Sequence, residues 1–253
     1  MGKSKRQWLA PFLLSAVLSI LSTPVMAEEG GWSFTLAPYA WMSGISGDVA
    51  TIPPLPPSKV DESFSDVLDD LEGAFFVYGE ARKDRLFFMA DFVYTNVSSS
   101  DGYGSGGFLK VDLDQENILL GAAAGYSVIK EPEYGLDLFG GARYWSIDSE
   151  LTLTGPAARR STSHSEDWLD PIVGARFAVP FSENWSFQIS TAVGGFGVGA
   201  DLEWDLFSTI SYRLSDWAWV GFGYRYLSVD YDHGGFLYEL DQQGPVLGAA
   251  FRF

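Results

Sequence analysis

The chain has 253 residues, no cysteine and a formal net charge of −17, from 33 acidic residues against 16 Lys and Arg. The lack of cysteine excludes a disulfide framework, and the acidic balance argues against a nucleic-acid partner. Glycine is abundant, with 28 residues, and 16% of the residues are aromatic, so the arrangement of these aromatics along the chain is informative.

The first 27 residues have the pattern of a secretory signal peptide. Three basic residues open the chain, an apolar run covers residues 8–21, and the segment closes on Val25-Met26-Ala27. We predict cleavage after Ala27 and a mature domain over residues 28–253, whose formal charge becomes −20 once the three basic residues are removed. The alternative is an uncleaved membrane anchor, but the apolar run is short and is interrupted by Pro11 and three serines.

The mature chain alternates with a period of two, which is the period of a β-strand. In the segment 200–215, Leu202, Trp204 and Leu206 share one face while Asp201, Glu203 and Asp205 share the other. A strand that crosses a bilayer needs about 9–11 residues, and one apolar and one charged face suit a membrane-spanning barrel.

The same pattern recurs ten times along the chain. The predicted strands are 31–48, 74–83, 85–97, 108–129, 134–154, 162–181, 185–197, 200–215, 217–232 and 235–253. We therefore predict an all-β fold, a transmembrane antiparallel up-and-down β-barrel of about ten strands, with eight or twelve as less favoured counts. An even count returns the C-terminus to the periplasm and places the short connections there. The longer segments 49–73, 98–107 and 154–161 then lie outside.

Aromatic residues lie on the faces that we assign to lipid, as in the aromatic girdles of membrane barrels. These residues are Trp32, Phe34, Phe92, Tyr94, Tyr126, Tyr144, Phe177, Phe181, Trp185, Phe187, Trp204, Tyr212, Tyr224 and Tyr226. A secreted β-sandwich is the alternative, but its strands are shorter and it needs no girdle.

The first long loop is predicted to contain a short amphipathic helix. Ser63 and Asp66 form a candidate capping box, apolar residues follow at helical spacing, and Gly73 is a plausible stop. We expect the helix to cap the barrel mouth, and the alternative is a plug inside the lumen.

The inward faces hold the candidate functional residues. Eight acids and six arginines are assigned there: Glu80, Arg82, Asp91, Asp137, Arg143, Glu166, Asp170, Arg176, Asp201, Glu203, Asp205, Arg213, Arg225 and Arg252. A ten-stranded barrel has a backbone diameter of about 20 Å, which two long side chains nearly fill. We favour a lumen filled by Arg–carboxylate pairs, and the alternative is a narrow, slightly cation-preferring pore.

Other motifs do not support catalysis or metal binding. The segment 195–200 matches a dinucleotide fingerprint as text, but a strand follows where a helix is required, so we expect a tight turn or bulge. His164 and His233 lie near the predicted external rim, where a solvated loop histidine is the simpler interpretation. Asp201, Glu203 and Asp205 could bind Ca²⁺, but a solvated acidic rim is favoured.

The chain ends on PVLGAAFRF, in which Gly248, Phe251 and Phe253 resemble the C-terminal assembly signal of bacterial outer-membrane β-barrels. Val246 departs from that pattern, which prefers a polar residue there. The Trp-rich first strand, the GARYW and GYRYL segments and the terminal Phe are also similar to small proteobacterial outer-membrane barrels of unassigned function.

This resemblance implies residence in the bacterial outer membrane, contact with its lipid and lipopolysaccharide, and folding by the barrel assembly machinery. We expect a structural barrel or narrow passive channel with a mostly filled lumen, without enzymatic activity, metal or cofactor. The alternatives are a rim-active protease or lipid A-modifying enzyme and a surface adhesin. The oligomeric state is left open.

Overall fold

A computed structural model describes residues 31–103 and 108–253, so the predicted signal peptide lies outside the described residues. The elements in chain order are β1 (Ser33–Trp41), β2 (Gly44–Ala50), β3 (Ser58–Glu62), α1 (Phe64–Asp70), β4 (Leu71–Lys83), β5 (Leu86–Tyr103), β6 (Leu109–Lys130), β7 (Gly135–Thr154), β8 (Arg159–Pro180), β9 (Trp185–Gly195), β10 (Leu202–Ser215), β11 (Ala218–His233) and β12 (Phe236–Arg252). Within these ranges no helix has both the length and the apolar character needed to span a bilayer.

Ten of the twelve described strands form a closed antiparallel barrel. The order is β1-β4-β5-β6-β7-β8-β9-β10-β11-β12, and β12 pairs back to β1. At this junction Thr35 lies opposite Arg252, while Phe34 and Phe253 exchange two backbone hydrogen bonds of 2.8 and 2.9 Å. The predicted ten-stranded barrel is confirmed, and closure leaves the wall without an unpaired edge.

Two short strands lie outside the ten-strand ring. β2 continues β1 after a break at residues 42–43 and pairs with the outer part of β12, so that Ala50 lies opposite Leu237. β3 then pairs with β2 and not with the wall strand β4. The sequence analysis did not predict β3, because SKVDE is polar and has no apolar alternation; its pairing with β2 defines it as a strand.

The predicted helix in the first loop is present as α1. Ser63 is its N-cap: the Ser63 hydroxyl accepts from the Asp66 backbone N–H, and the Asp66 carboxylate accepts from the Ser63 backbone N–H at 3.0 Å. The helix ends at Asp70, three residues before the predicted stop. It contacts β2, β3 and β5, and none of its residues is fully buried. It therefore lies at the edge of the barrel mouth and does not occupy the lumen.

The two ends of the barrel differ in height. Ser33 and Phe253 lie at one end, here called the terminal end, together with the turns that join β4–β5, β6–β7, β8–β9 and β10–β11. At the opposite end, here called the loop end, β5 to β8 run for 18–22 residues, whereas β9 has only 11. The wall is therefore tall along β5–β8 and low at the β9–β10 turn.

The low turn is built from the segment Gly195-Phe196-Gly197. All three residues have positive φ, between 53° and 83°, a conformation that glycine adopts without strain. This is the tight turn that we expected at this segment in place of a dinucleotide-binding motif. Phe196 and Val198 are exposed at its tip.

The outer surface carries a broad apolar band. Large apolar side chains from every wall strand are exposed there, including Leu36, Phe75, Phe88, Leu120, Leu138, Val173, Val193, Ile210, Phe222 and Leu247. Aromatics predicted for the girdles are exposed on the same surface, among them Trp32, Tyr126, Trp185 and Trp204. Such a continuous band suits contact with lipid.

Candidate functional site in the barrel lumen

Charged side chains enter the lumen because strand alternation directs every second residue inward. In β7 the inward residues include Asp137 and Arg143, which are buried, whereas the outward residue Leu138 is exposed. In β8 they include Asp170 and Arg176. The inward charges collect into two groups at different depths.

The group nearer the terminal end is here called the lower cluster and consists of Tyr78, Glu80, Arg82, Asp137 and Arg176. Arg176 contacts Glu80 at 2.7 Å and Asp137 at 2.7 Å, and Arg82 contacts the same two carboxylates at 2.8 Å each. Both guanidinium groups also lie over the ring of Phe87, at 4.4 and 4.9 Å. The two arginines and two carboxylates neutralise one another in a partly desolvated space.

The second group is here called the central cluster and consists of Tyr39, Asp91, Arg143, Glu203, Asp205 and Arg225. Arg143 binds Glu203 at 2.6 Å and Asp205 at 2.8 Å. Arg225 binds Asp205 at 2.7 Å and Asp91 at 2.9 Å. The Tyr39 hydroxyl donates to Asp91 at 2.8 Å and accepts from Arg225 at 2.9 Å.

Several of these ion pairs cross the lumen between strands that are not neighbours. Arg225 on β11 reaches Asp91 on β5, six strands away along the wall in one direction and four in the other. Arg176 on β8 reaches Glu80 on β4, four strands away. Side chains thus bridge opposite walls at two depths.

Toward the loop end, the lumen is filled by a third group, here called the aromatic cluster. Its members are Trp41, Trp145, Trp168, Tyr231, Phe236 and Tyr238, each at most 5% exposed. Trp168 stacks on Tyr231 with ring centroids 4.0 Å apart, and on Trp145 at 5.5 Å. Trp145 also donates its indole N–H to Glu203 at 2.7 Å, which joins the aromatic cluster to the central cluster.

Two predicted carboxylates bind members of the aromatic cluster and form no ion pair with an arginine of the described residues. Asp170 is fully buried and accepts from the Trp168 indole N–H at 2.9 Å and from the Ala200 backbone N–H at 2.7 Å. It therefore ties the β9–β10 turn to the cluster. Glu166 accepts from the Tyr231 hydroxyl at 2.7 Å and lies 3.2 Å from His164. Burial and this contact raise the pKa of the Tyr231 hydroxyl well above its usual value, so that it remains a donor.

Two of the predicted lumen residues lie elsewhere. Asp201 precedes β10 and is exposed, and its backbone N–H bonds to the backbone oxygen of Asp230. Arg213 is exposed near the terminal end and donates to the backbone oxygen of Glu183. Arg252 does line the lumen near the terminal end, where it lies over the Trp219 ring at 4.8 Å. The interpretation of Asp201, Glu203 and Asp205 as one solvated acidic rim is wrong, since Glu203 and Asp205 are buried against Arg143.

Sequence reasoning missed the polar partners that connect the arginines. Tyr39, Tyr78 and Ser127 bridge charged residues, and Ser127 bonds both Arg82 and Asp137 at 2.6 Å. Strand alternation was the signal that could have found them. Tyr39 shares the inward face of β1 with Trp41, and in the same way Trp145 shares the inward face of β7 with Arg143.

Below the central cluster lies a chamber of about 530 Å³. It is bounded by parts of both charge clusters and extends to Lys130, Ser186 and Arg252 near the terminal end. The lumen is thus filled toward the loop end and hollow toward the terminal end.

The residues of the predicted assembly signal lie on the closing strand. Phe253 stacks on Phe34 at 6.2 Å, and Phe251 stacks on Trp217 at 6.1 Å. Gly248 faces inward opposite Tyr39, where an added Cβ would lie 2.9 Å from the Tyr39 Cβ. This close approach gives Gly248 a packing role beside the central cluster.

No protein-family model and no curated protein sequence matches the chain. Among solved structures, the translocator domain of the autotransporter NalP from Neisseria meningitidis is similar, with a TM-score of 0.52 and 13% identity over 88% of each chain. The outer membrane protease OmpT from Escherichia coli is similar with a TM-score of 0.52 and 11% identity, over 92% of this chain and all of the other. At these identities the likeness shows the fold, a barrel of the outer-membrane type.

Proposed function

We propose that the protein is an integral outer-membrane barrel whose lumen is closed to passive flow. The closed lumen makes it a rigid scaffold that holds the tall β5–β8 wall beyond the membrane. The observation that carries this proposal is the packing of the outer lumen, where Trp41, Trp145 and Trp168 are each at most 5% exposed.

The charge clusters support the same conclusion independently. The pair Arg225–Asp91 connects opposite walls at the deep end of the chamber, so an ion that moves on toward the loop end would have to displace this desolvated pair. Breaking one side of such a pair costs about 3–5 kcal/mol. The chamber passes beside the lower cluster and ends at the central cluster, which makes it a blind pocket that opens toward the terminal end.

Outer-membrane residence rests on the barrel fold, the exposed apolar band and the sequence of the leader. In this setting the terminal end faces the periplasm, and the loop end contacts the lipopolysaccharide layer. Cell fractionation should recover the protein with outer membranes, and sequencing of the mature N-terminus should begin at Glu28. Recovery with the inner membrane or an intact leader would contradict this assignment.

Assembly by the barrel machinery is proposed from the terminal strand. Phe251 and Phe253 lie on the outward face of β12 at the terminal end, where a periplasmic factor would meet them. Gly248, in contrast, contributes to packing beside Tyr39 in the finished barrel.

A non-catalytic role is favoured by the surroundings of His164. Its ring stacks on Phe236 at 5.6 Å, and its Nε2 contacts Glu166, which in turn accepts from Tyr231. These contacts account for His164 as a packing residue beside the aromatic cluster.

A liposome-swelling assay tests the closed lumen. Liposomes that contain the refolded barrel, placed in isotonic solutions of small sugars, should not swell. Liposomes with an open porin at equal protein density provide the positive control, and protein-free liposomes the baseline. Swelling at a rate that depends on sugar size would contradict the proposal.

A further inference from the structure

The chamber near the terminal end has a composition that the closed lumen does not explain. Its volume of about 530 Å³ lies within the range of about 300–1,000 Å³ that is usual for small-molecule sites. A barrel that only needed to be closed could fill this space with side chains, as it does toward the loop end. Here glycine and alanine line part of the wall instead, including Gly121, Gly221, Gly248 and Ala250.

Part of the chamber lining is polar but uncharged. β1, β9 and β10 supply hydroxyl and amide side chains to it: Thr35, Ser186, Gln188, Ser190, Thr209 and Ser211. Each of these groups can both donate and accept hydrogen bonds. Phe139, Phe207 and Trp219 add aromatic surface between them.

The deep end of the chamber contains an unpartnered donor. Arg143 is 5% exposed, and its Nε is buried without a hydrogen-bond partner among the described residues, although its other nitrogens bind Glu203 and Asp205. The Nε lies beside Gly121, where an added Cβ would be 3.8 Å away, and both residues line the chamber. A buried donor without a partner is costly, so an acceptor atom at this point would be stabilised.

The charges in the deep part of the chamber favour a neutral ligand there. Glu80, Asp91, Asp137 and Asp205 line it beside Arg82, Arg143, Arg176 and Arg225, and each of these guanidinium groups binds a carboxylate. Two further cations, Lys130 and Arg252, line the chamber near the terminal end, where Arg252 lies over the Trp219 ring. An anion beside the Arg143 Nε would therefore approach carboxylates without a free cation next to it, and a cation there would find each carboxylate already paired.

We infer that the chamber is a binding site for a neutral saccharide of one or two sugar units, which enters from the terminal end. A sugar hydroxyl accepts from the Arg143 Nε at the deep end, and the other hydroxyls bond the Ser, Thr and Gln wall. The apolar face of the sugar ring lies on Phe207 or Trp219. This inference goes beyond the closed-lumen function.

Maltose and glucose are the probes that test the site. The full mature barrel is refolded in an amine-oxide detergent, because glycoside detergents would themselves occupy the chamber. We expect saturable binding by calorimetry with a Kd of about 0.1–10 mM, a usual range for a small, weakly held ligand. Succinate and arginine, which are charged, should not compete with maltose.

Gly121→Ser is the informative variant. Its hydroxyl would stand beside the Arg143 Nε and take the place of the sugar acceptor, so maltose affinity should fall by about tenfold or more while the barrel stays folded. Gly79→Ser is the matched control, because Gly79 alternates with the inward residues Tyr78 and Glu80 and does not line the chamber. An added Cβ there would lie 4.0 Å from the Thr35 backbone oxygen on β1. This variant should bind maltose like the wild type.

Three results would overturn the inference. They are no saturable binding of either sugar, equal binding by Gly121→Ser and the wild type, or succinate binding that competes with maltose. Binding is measured in detergent and does not require the lumen to be closed. A conducting barrel that still binds maltose would therefore contradict the proposed function and leave the site intact.

Discussion

Arg225 and Asp91 face each other from opposite walls of the barrel and form an ion pair of 2.9 Å across the lumen. The pair is held on both sides, because Tyr39 bonds both residues and Asp205 binds the same guanidinium group. Trp41 lies over Arg225 at 5.0 Å, so the aromatic cluster begins directly above the pair. Charge and aromatic packing therefore act as one continuous closure.

The lower cluster should contribute measurably to stability. Arg176→Ala leaves Glu80 and Asp137 to share Arg82 as their one guanidinium partner among the described residues, so that two carboxylates face one arginine in a confined space. We therefore expect a loss of about 3–5 kcal/mol in the free energy of unfolding. Urea unfolding of the refolded barrel in detergent measures it. Arg213→Ala is the matched control: its side chain is exposed and binds only a backbone oxygen in the described contacts, so a change of about 0–1 kcal/mol is expected. Equal effects of the two variants would show that the lower cluster is solvated.

The aromatic cluster should be more sensitive than the aromatic girdle. Trp168→Ala removes the stack on Tyr231 and leaves a buried oxygen of Asp170 without its indole donor. We expect a loss of about 3–5 kcal/mol in the free energy of unfolding. Trp217→Ala is the control, since Trp217 is 59% exposed and stacks only on Phe251 in the described contacts, and should cost about 1 kcal/mol. A Trp168 variant as stable as the Trp217 variant would place Trp168 outside the packed core.

The ring of Phe253 should affect assembly in cells but not the stability of the folded barrel. Phe253→Ala keeps both backbone hydrogen bonds to Phe34 and removes only the ring. We expect lower levels of this variant in the outer membrane of cells, but an unfolding free energy in detergent within about 1 kcal/mol of the wild type. Phe222→Ala, which removes an exposed aromatic from β11, should assemble normally. Normal surface levels of Phe253→Ala would remove the basis for the assembly signal.

A row of carboxylates on the outer surface gives a pH dependence. Asp230 on β11 lies opposite Glu239 on β12, and Glu239 lies opposite Asp48 on β2. Asp230 is four residues beyond the girdle residue Tyr226 along β11, so the row lies on the loop-end side of the girdle. Burial raises the pKa of Glu239, and Asp230 and Asp48 raise it further by repulsion. The folded barrel therefore binds more protons than the unfolded chain just above the ordinary Glu pKa of about 4.3. The contribution of this row of carboxylates to the free energy of unfolding therefore falls as the pH rises through that range.

Glu239→Gln should accordingly raise the urea midpoint at neutral pH, and the gain should shrink as the pH is lowered to about 4. The control is Glu133→Gln, in the exposed turn between β6 and β7, which should leave the midpoint and its pH profile unchanged. A destabilised Glu239→Gln at neutral pH would mean that this carboxylate makes a favourable contact.

Alternation was enough to predict the strands and the inward direction of Arg143, Arg176 and Arg225. Alternation could not predict how far along the barrel axis each residue lies. For this reason Asp201 and Arg213 were assigned to the lumen although they lie near the ends of their strands. It could not show which charges meet either, because Arg225 finds Asp91 only after the wall closes with a particular stagger. β3 escaped prediction since its strand character comes from pairing with β2 and not from its own pattern.

The closure of the lumen is tested most directly by the conductance of the refolded wild-type barrel in a planar lipid bilayer. Insertion is verified independently by heat-modifiable migration of the same sample on a gel, because a closed barrel keeps its backbone groups paired until it is boiled. The account predicts inserted protein without single-channel steps, because the aromatic cluster fills the outer lumen and the Arg225–Asp91 pair crosses the lumen directly below it. Regular steps of constant amplitude from the inserted wild-type protein would contradict it.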